Sequence, residues 1–338
     1  MRILLIGFGT VGQSLARILN QDRDWLARTY GFEPTVTAIV DSGGSCRDDS
    51  GLDLETALKV KTTFGTVQKY PAKGERRKTL TRLIDETEAD ILIETTLSNF
   101  KDAEPGLSNI KQALVSGKHV VTTNKGPLAL AMPALLELAA HKRVQLRFSG
   151  TVGGGTPFLS FASKSLPGEK ITDIHGILNG TTNYILTRME NGPVDFRTSL
   201  REAQQKGYAE KDPTNDVEGF DSAAKIVIMS NWILKRQINI HDMKITGISG
   251  ITPRMISKAR AASKRIKLIG RLSENEAIVE PQEIDTNDPI CVPDTLNAVT
   301  FTMERSGNLT LVGHGAGGER TAGAVVRDLV DIRREYFA

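Results

Sequence analysis

Residues 2–12 read RILLIGFGTVG, and this stretch decides the fold class of the first half of the chain. The apolar run at 3–6 is typical of a strand buried on both faces of a parallel sheet. The glycines that follow fit the pattern G-x-G-x-x-G, and the apolar residues after them recur at helical spacing. A strand, a glycine turn and a helix in this order predict the first βα unit of a Rossmann dinucleotide-binding domain.

The three glycines have separate roles in such a unit. Gly7 allows the tight turn, Gly9 lets a pyrophosphate approach the backbone, and Gly12 lets the helix pack closely on the strand. The free N–H groups and the positive dipole end of the helix then face the phosphates. We therefore predict cofactor contacts along the whole motif, which comprises Gly7, Phe8, Gly9, Thr10, Val11 and Gly12. A Gly-rich turn without a ligand is the alternative.

The second predicted strand, 36–40, ends in Asp41. An acid at this place usually accepts hydrogen bonds from the ribose hydroxyls and favours NAD over NADP. Ser42, Ser45 and Arg47 follow and suit a 2′-phosphate, so the cofactor preference is left open. Asp41 also fits a purely structural role as a turn residue at the end of the strand.

Two later strands place polar residues at the same edge of the predicted sheet. The strand at 90–95 is followed by Thr96, and the strand at 119–122 is followed shortly by Lys125. Ligands of open α/β sheets bind at the carboxyl ends of the strands, so both residues are predicted to face the cofactor crevice. Lys125 either contacts the cofactor and assists proton transfer or is a surface lysine that starts a loop. Residues 43–78 lack clear periodicity and are predicted to be mostly loop with one short helix.

Composition limits the class of protein. A chain of 338 residues suggests two domains. With 43 basic and 40 acidic residues and only 5% aromatics, it has no electrostatic or stacking surface for nucleic acid. Two distant cysteines and scattered histidines exclude a disulfide framework and a clustered metal site. Without a signal peptide or an apolar span, the chain is predicted to be cytoplasmic and to have no membrane partner.

The second half carries acids and one lysine close together, in the stretch 176–225. Glu210 and Asp216 lie in a predicted polar loop. Asp221 and Lys225 follow at i and i+4 on one face of a helix that continues into an apolar run. A partly buried lysine beside an acid suits proton transfer, because desolvation lowers its pKa and the acid positions it. This group of charges predicts a site for a small charged substrate.

Two glycine clusters flank the second half. The first, TVGGGTP at 151–157, is expected to line the nicotinamide or to offer carbonyl oxygens to a cation, although a helix onset with a tight turn explains it equally. The second, GHGAGG at 313–318, opens a final helix at 321–331 that we expect to pack on the first domain. The predicted domains are a Rossmann domain at 1–148, a central α+β domain at 149–312 and a C-terminal segment at 313–338.

The chain resembles the homoserine dehydrogenase family over nearly its whole length. The most specific motifs are GILNGTTNYIL at 176–186 and GYAEKDPTNDVEGFDSAAK at 207–225; TTNKGP at 122–127 and GHGAGGERTAGAVVRDL at 313–329 also match. The resemblance implies NAD(P)-dependent interconversion of L-homoserine and L-aspartate 4-semialdehyde in the route from aspartate to threonine and methionine. It also implies a homodimer and a central domain whose sheet forms the substrate site and the dimer interface. The short chain resembles forms that have no ACT module and no fused aspartate kinase.

Site roles follow from the resemblance position by position. Glu210 corresponds to the ligand of the substrate ammonium group, and Asp221 to a second polar contact. Lys225 corresponds to the proton donor in the reduction direction, and Lys125 to an assisting lysine near the nicotinamide. The turn residues that match the family's substrate site are Gly180 and Thr181, and the further cofactor contacts are Thr96, Lys125 and Gly317.

The family also implies a monovalent cation, such as Na⁺, near Val152, Gly154 and Thr156. This chain departs from the pattern, because Ser149 stands where a glutamate commonly precedes the glycine cluster. Two alternative functions are kept: another amino-acid oxidoreductase of similar build, and a nicotinamide-binding regulatory protein without catalysis. An aldehyde-oxidising enzyme would need a cysteine nucleophile, and neither Cys46 nor Cys291 lies in a convincing place.

Overall fold

The computed structural model describes residues 1–76, 79–192 and 194–336. The chain forms two compact units. The first comprises Met1–Thr151 together with the chain from Gly317 onward, and the second comprises Val152–Ala316. Of the helices in the described ranges, none is both long and apolar enough to cross a membrane.

Thirteen strands and thirteen α-helices are present in the described ranges. The strands are β1 Arg2–Ile6, β2 Thr35–Val40, β3 Gly44–Arg47, β4 Gly74–Arg76, β5 Ile91–Glu94, β6 His119–Thr122, β7 Leu146–Arg147, β8 Ile171–Ile177, β9 Lys244–Ile245, β10 Lys264–Ser273, β11 Ala277–Asp285, β12 Leu296–Met303 and β13 Gly307–His314. The helices are α1 Thr10–Gln21, α2 Arg23–Tyr30, α3 Leu54–Phe64, α4 Leu80–Glu86, α5 Gly106–Val115, α6 Lys125–Lys142, α7 Phe158–Ser165, α8 Gly180–Glu190, α9 Phe196–Gln205, α10 Thr214–Val217, α11 Phe220–Met229, α12 Pro253–Ala261 and α13 Gly318–Tyr336.

The first unit is built on a seven-stranded sheet with the order β4-β3-β2-β1-β5-β6-β7. Strands β2, β1, β5, β6 and β7 are parallel, and their side chains are almost all buried, as expected for strands covered by helices on both faces. The α/β class with a Rossmann-type sheet is therefore confirmed. The order reverses between β1 and β5, and this switch point is where such sheets bind ligands.

Residues 43–76 differ from the sequence prediction of mostly loop with one short helix. They contain the antiparallel edge strands β3 and β4 and the full helix α3, whereas Arg77 and Lys78 lie outside the described residues. The edge strands are short and rich in polar residues, so they carry no alternating apolar pattern by which the sequence reveals them. Contacts with the end of β2 hold this extension in place.

The C-terminal helix α13 returns to the first unit, as predicted. Its apolar residues Val325 and Leu329 are fully buried in the same core as Leu15 and Leu19 of α1. The helix is longer at both ends than the predicted 321–331. An apolar stripe runs along α13. This stripe explains why a helix at the end of the sequence packs into the core of the first unit.

The second unit contains a mixed six-stranded sheet with the order β13-β12-β8-β10-β11-β9. Its strands are antiparallel apart from the parallel pair of β9 and β11. Helix α11 packs on one face, where an added Cβ on Gly270 of β10 would lie 2.9 Å from a carbon of Ile226. The carboxyl end of β8 leads through Leu178 directly to α8, so the polar turn at 179–183 becomes the first turn of a helix.

Candidate active site

The glycine turn of the first unit has the geometry that a pyrophosphate requires. Gly7 has a φ of +99°, and a Cβ on Gly12 would lie 2.2 Å from the carbonyl oxygen of Gly7. By contrast, an added Cβ on Gly9 would meet nothing within 4 Å. Gly9 is the N-cap of α1, which has no side-chain cap and no acid in its first turn. The positive end of this helix therefore fits the phosphates of a dinucleotide.

The other motif residues differ in what they offer to a cofactor. Phe8 is only 1% exposed and belongs to the hydrophobic core, so its contribution would come from the backbone. Thr10 is exposed and Val11 half-buried at the start of α1. Sequence reasoning does not separate these residues, because the motif fixes the backbone and leaves the direction of each side chain to packing.

Gly317 lies beside the same helix end. It has a φ of +125°, and an added Cβ on its neighbour Gly318 would lie 2.6 Å from Thr10 and 3.0 Å from Ser14. The first turns of α13 and α1 are thus in close contact within the first unit. This proximity supports Gly317 as a cofactor contact, which remains a prediction.

Both oxygens of the Asp41 carboxylate accept hydrogen bonds from groups of the protein itself. One oxygen accepts hydrogen bonds from Gly43 N, Gly44 N and Thr66 Oγ1, and the other accepts from Lys61 Nζ at 2.7 Å and Val67 N at 2.9 Å. Burial raises the pKa of Asp41, but Lys61 and the other donors outweigh this effect and lower it below the ordinary value. The geometry supports the turn-residue alternative, and the ribose contact remains an untested prediction.

Thr96 and Lys125 both lie at the carboxyl edge of the first sheet. Thr96 follows β5, which neighbours the glycine turn: the adjacent Thr95 donates from Oγ1 to Gly7 O at 2.6 Å. Lys125 is the first residue of α6, not the start of a loop, because Asn124 caps that helix by accepting from Gly126 N at 3.0 Å. The backbone N–H of Lys125 donates to Ser98 Oγ at 3.0 Å. The structure thus brings both residues to the edge where a dinucleotide binds.

Lys225 is the centre of a polar cluster in the second unit. It is 6% exposed, and its Nζ donates to Asp221 Oδ2 and to the carbonyl oxygen of Leu178, both at 2.6 Å. Asp221 lies one turn earlier on α11, and Leu178 directly follows the last residue of β8. The predicted lysine–acid pair is therefore present and nearly enclosed by protein.

Asn179 and Asp216 extend this cluster, and neither is among the residues to which the sequence analysis assigned a role. Asn179 Nδ2 donates to Asp216 Oδ1 at 2.6 Å and to Asp221 Oδ2 at 2.9 Å, while its own Oδ1 caps α8. Burial, followed by the nearby charge of Asp221, raises the pKa of Asp216 to about 6. The sequence gives one signal for the contact between Asn179 and Asp216: Asn is a common N-cap residue, and an N-cap at 179 places its side-chain amide just after β8.

The other predicted substrate residues lie around the cluster at different depths. Gly180 opens α8, and a Cβ there would lie 2.8 Å from Thr295 O, so the position has no room for a side chain. Thr181 is buried and donates from Oγ1 to Tyr208 O at 2.6 Å. Glu210 is exposed, and its carbonyl oxygen accepts from Gln204 Nε2. The ammonium-binding role of Glu210 is therefore not tested by this geometry.

The residues expected near a cation do not reproduce a carboxylate-containing site. Thr156 Oγ1 donates to His314 O at 3.3 Å, and Gly154 has a φ of +52° against the backbone of Gly315. Ser149, at the place of the family's glutamate, donates from both N and Oγ to Asp328. Val152 is buried. No step of the proposed reaction depends on a cation, and the cation site stays a prediction.

Neither cysteine is suited to covalent catalysis. Cys46 is fully buried in β3, and burial raises the pKa of its thiol to about 12. Burial also raises the pKa of Cys291. Because only the thiolate is an effective nucleophile, both residues would be unreactive at neutral pH. This agrees with the exclusion of an aldehyde-oxidising mechanism in the sequence analysis.

Comparisons with known proteins match both units. A family model described as homoserine dehydrogenase covers residues 157–330, and one described as the homoserine dehydrogenase NAD binding domain covers residues 7–149. The chain is 42% identical to a homoserine dehydrogenase of Methanocaldococcus jannaschii over 98% of each chain. It is 37% identical to an NAD(+)-dependent homoserine dehydrogenase of Pseudomonas canavaninivorans, over 98% of this chain and 96% of that one. A solved hyperthermophilic archaeal homoserine dehydrogenase in complex with NADPH superposes with a TM-score of 0.87 at 27% identity, over 99% and 98% of the two chains.

A dinucleotide-binding unit together with these matches defines an NAD(P)-dependent oxidoreductase. Within that class the chain belongs to the homoserine dehydrogenase family. The expected fold, enzyme class and NAD(P) cofactor are thereby confirmed, whereas the roles of individual residues are not.

Proposed function

We propose that this chain interconverts L-homoserine and L-aspartate 4-semialdehyde on the Asn179–Asp216–Asp221–Lys225 cluster. The observation that carries this assignment of the site is the nearly buried Lys225, held by Asp221 and Leu178 O at 2.6 Å each. An ammonium group has three donors. Two of the three N–H donors of Lys225 have acceptors among the described residues, which leaves the third N–H for the oxygen of a substrate.

In the reduction direction, NAD(P)H bound at the glycine turn would supply the hydride that the aldehyde carbon takes up. Lys225 donates a proton to the aldehyde oxygen as this oxygen becomes a hydroxyl group, and the neutral amine accepts the proton back in the oxidation direction. Asp221 orients Lys225 and stabilises its charged form. Lys125 assists from the cofactor side, as the family resemblance implies.

The acids of the second unit are proposed to bind the amino group of the substrate. Asp216 and Asp221 share the Asn179 amide, and their mutual repulsion contributes to the raised pKa of Asp216. A substrate ammonium group would relieve this repulsion, which favours an amino acid over an uncharged alcohol. Glu210 is kept as a further ammonium ligand that would approach from its exposed position.

Assembly and location belong to the same proposal. We assign a homodimer through one face of the six-stranded sheet, on which Val312 of β13 is 49% exposed beside Ala298 of β12. A cytoplasmic location is supported by the two cysteines, which are both free thiols.

The deciding experiment is homoserine-dependent reduction of NAD⁺ and NADP⁺ by the purified chain. We expect turnover with L-homoserine and little with the same alcohol lacking an amino group. Cofactor binding without homoserine turnover would refute the proposed reaction and identify a nicotinamide-binding regulatory protein instead. Turnover with another amino acid in preference to homoserine would identify an oxidoreductase of similar build.

A further inference from the structure

Glu94, the last residue of β5, is a fully buried carboxylate that the reaction itself does not use. The three residues before it in the strand are apolar and also fully buried. Glu94 pairs with Ile6 of β1, directly before the glycine turn, and with Thr122 of β6. A carboxyl group buried at such a place without hydrogen-bond partners would destabilise the fold. Its surroundings must therefore compensate for the burial.

Hydrogen-bond donors surround the Glu94 carboxylate. Oε1 accepts from the backbone N–H of Thr96 at 2.7 Å and from the Thr96 hydroxyl, and Oε2 accepts from Asn109 Nδ2 of α5 at 2.7 Å. Burial raises the pKa of Glu94, while Thr96 and Asn109 oppose this shift. These partners act as donors, so each oxygen of the Glu94 carboxyl group accepts at least one hydrogen bond.

The network continues to the first turn of α6. Thr96 Oγ1 accepts from Asn124 Nδ2 at 3.1 Å, and Asn124 Oδ1 accepts from Gly126 N at 3.0 Å as the cap of that helix. Asn124 Nδ2 also donates to Leu97 O at 3.3 Å. Lys125 lies between Asn124 and Gly126. The hydrogen bonds that link Glu94 to Thr96, Thr96 to Asn124 and Asn124 to Gly126 therefore reach the residues on both sides of the assisting lysine.

The surroundings of Asn124 and Gly126 leave little freedom for adjustment. A Cβ on Gly106 would lie 2.5 Å from Asn124 Nδ2, and a Cβ on Gly126 would lie 2.4 Å from Asn99 O. Side-chain networks in such dense surroundings are cooperative, because each bond restrains the donors of the next. The segment after β5 and the start of α6 are thus held as one piece.

We propose that Glu94 is a positioning residue for the cofactor site. Its carboxyl group holds Thr96 and, through Asn124, the first turn of α6 with Lys125, in the arrangement that NAD(P) requires. The inference rests on the proposed function for the role of Lys125. The main expected effect is on cofactor affinity, because binding groups that are already ordered reduce the free-energy cost of ordering them on binding. Homoserine binding, which we assign to the second unit, should be affected little.

The test is Glu94→Gln, which places an amide donor against the donor of Asn109. We expect the NAD(P)H dissociation constant, measured by quenching or enhancement of nicotinamide fluorescence, to rise about 10- to 100-fold. The KM for cofactor should rise in parallel, and the KM for homoserine should stay within about twofold, since the change is a local misplacement. The double variant Glu94→Gln with Asn109→Asp restores a donor–acceptor pair and should recover most of the cofactor affinity.

Lys118→Met is the matched control. Lys118 is also buried, and its Nζ donates to Thr87 O at 3.0 Å and Ala89 O at 3.3 Å, at the opposite end of β5. We expect it to lower the thermal stability of the protein as much as Glu94→Gln and to leave cofactor affinity unchanged. Asn109→Ala, which removes only one donor, provides a milder test with the same expected direction if Glu94→Gln does not fold.

Wild-type cofactor affinity in Glu94→Gln, or an equal loss of affinity in Lys118→Met, would overturn the inference. Failure of the double variant to recover affinity would also count against it, because the hydrogen-bond pairing would then be irrelevant. These results are distinct from failure of the proposed function, in which the wild type binds NAD(P)H but does not turn over homoserine.

Discussion

Single side chains with several partners define the chemistry of the second unit. Lys225, Asp221, Asn179 and Asp216 form one continuous set of hydrogen bonds with distances of 2.6–2.9 Å. Lys225 is assigned proton transfer, Asp221 orients the lysine, Asn179 holds the two acids, and the acids together are assigned the ammonium group of the substrate. Substitutions at single positions should therefore affect different measured quantities.

Lys225→Met is expected to lower kcat for homoserine oxidation about 100- to 10,000-fold, because the general acid–base group is lost. Cofactor affinity should not change, since the lysine belongs to the second unit. Lys258→Met, at an exposed lysine of α12 in the same unit, is the control and should behave as wild type. A kcat above a tenth of the wild-type value in Lys225→Met would remove this residue from proton transfer.

Asp216→Asn is expected to stabilise the protein near neutral pH while weakening homoserine binding. The folded-state pKa of Asp216 is raised to about 6, so ionisation of the wild type lowers its stability as the pH rises through 6. The variant should gain about 1–3 kcal/mol in the free energy of unfolding at pH 7.5, given a raised pKa of this size. The gain should vanish below pH 4, where the wild-type group is protonated in both states.

Denaturant unfolding of both proteins at pH 4, 6 and 7.5 measures this gain. A lower stability of Asp216→Asn at pH 7.5 would show that the wild-type carboxylate is stabilised by its neighbours. The kinetic part is tested separately, since an unchanged KM for homoserine would remove Asp216 from the binding of the amino group.

At the scale of elements, the first unit places its cofactor groups at the ends of strands and the beginnings of helices. Gly9 and Gly12 stand within one turn of α1 but meet opposite surroundings, open space at Gly9 and the Gly7 carbonyl at Gly12. Asp41 joins the end of β2 to residues at and beyond the end of α3, through Lys61, Thr66 and Val67. Substitutions at these positions should therefore affect cofactor affinity and protein stability to different extents.

Gly9→Ala is expected to weaken NAD(P)H binding at least tenfold, because the methyl group occupies the space where phosphate approaches the backbone. The folded protein itself has room for this group, so the stability loss should stay below about 1 kcal/mol, the usual scale of an N-cap change. Gly12→Ala, in contrast, should also lose about 1–3 kcal/mol of stability through overpacking. Nicotinamide fluorescence titration and denaturant unfolding distinguish the two. Unchanged affinity in Gly9→Ala would argue against phosphate binding at this turn.

Asp41→Asn is expected to lower the free energy of unfolding by about 2–4 kcal/mol at pH 7, because the Lys61 ammonium and several N–H groups lose a buried anionic partner. The lowered pKa of Asp41 means that the wild-type contribution exists at neutral pH and is lost as the pH falls through the folded-state pKa. The difference between the two proteins should therefore shrink in acid. Normal stability together with a tenfold weaker affinity for NAD⁺ would instead support the ribose contact.

At the scale of the whole molecule, the chain consists of two units with separate sheets and cores. In the second sheet, β8 and β10 carry a charged network on the face that includes Val312: Asp173 accepts from Arg271 Nε at 2.8 Å and pairs with His175 Nδ1 at 2.6 Å. This face of the sheet is the one that we propose to form the subunit interface.

Val312→Glu is expected to convert the proposed homodimer into a monomer, because an unpaired carboxylate would be buried at the interface. Leu309→Glu is the matched control: Leu309 lies on the same strand, is 39% exposed and points to the other face of the sheet. It should stay dimeric. Light scattering after size-exclusion chromatography should give twice the chain mass for the wild type and for this control. A monomeric wild type, or a dimeric Val312→Glu, would contradict the proposed interface.

The sequence alone determined those features that depend on neighbouring residues. The strand, glycine turn and helix at 2–21 are encoded in one continuous stretch, so the Rossmann domain and its NAD(P) cofactor could be predicted from it. The pair of Asp221 and Lys225 lies one helical turn apart, so periodicity was enough to bring it together. The glycine cluster at 313–318 likewise predicted a final helix that packs on the first domain.

Only the tertiary structure decided the partners of buried polar groups. Asp41 meets Lys61 and Val67, Asn179 meets Asp216, and Glu94 meets Asn109, over separations of 15–37 residues. No local pattern encodes these contacts, because chain folding sets which donors a buried carboxylate meets. The same acidic residue type therefore becomes a structural link at 41, a proposed positioning residue at 94 and a proposed substrate ligand at 216.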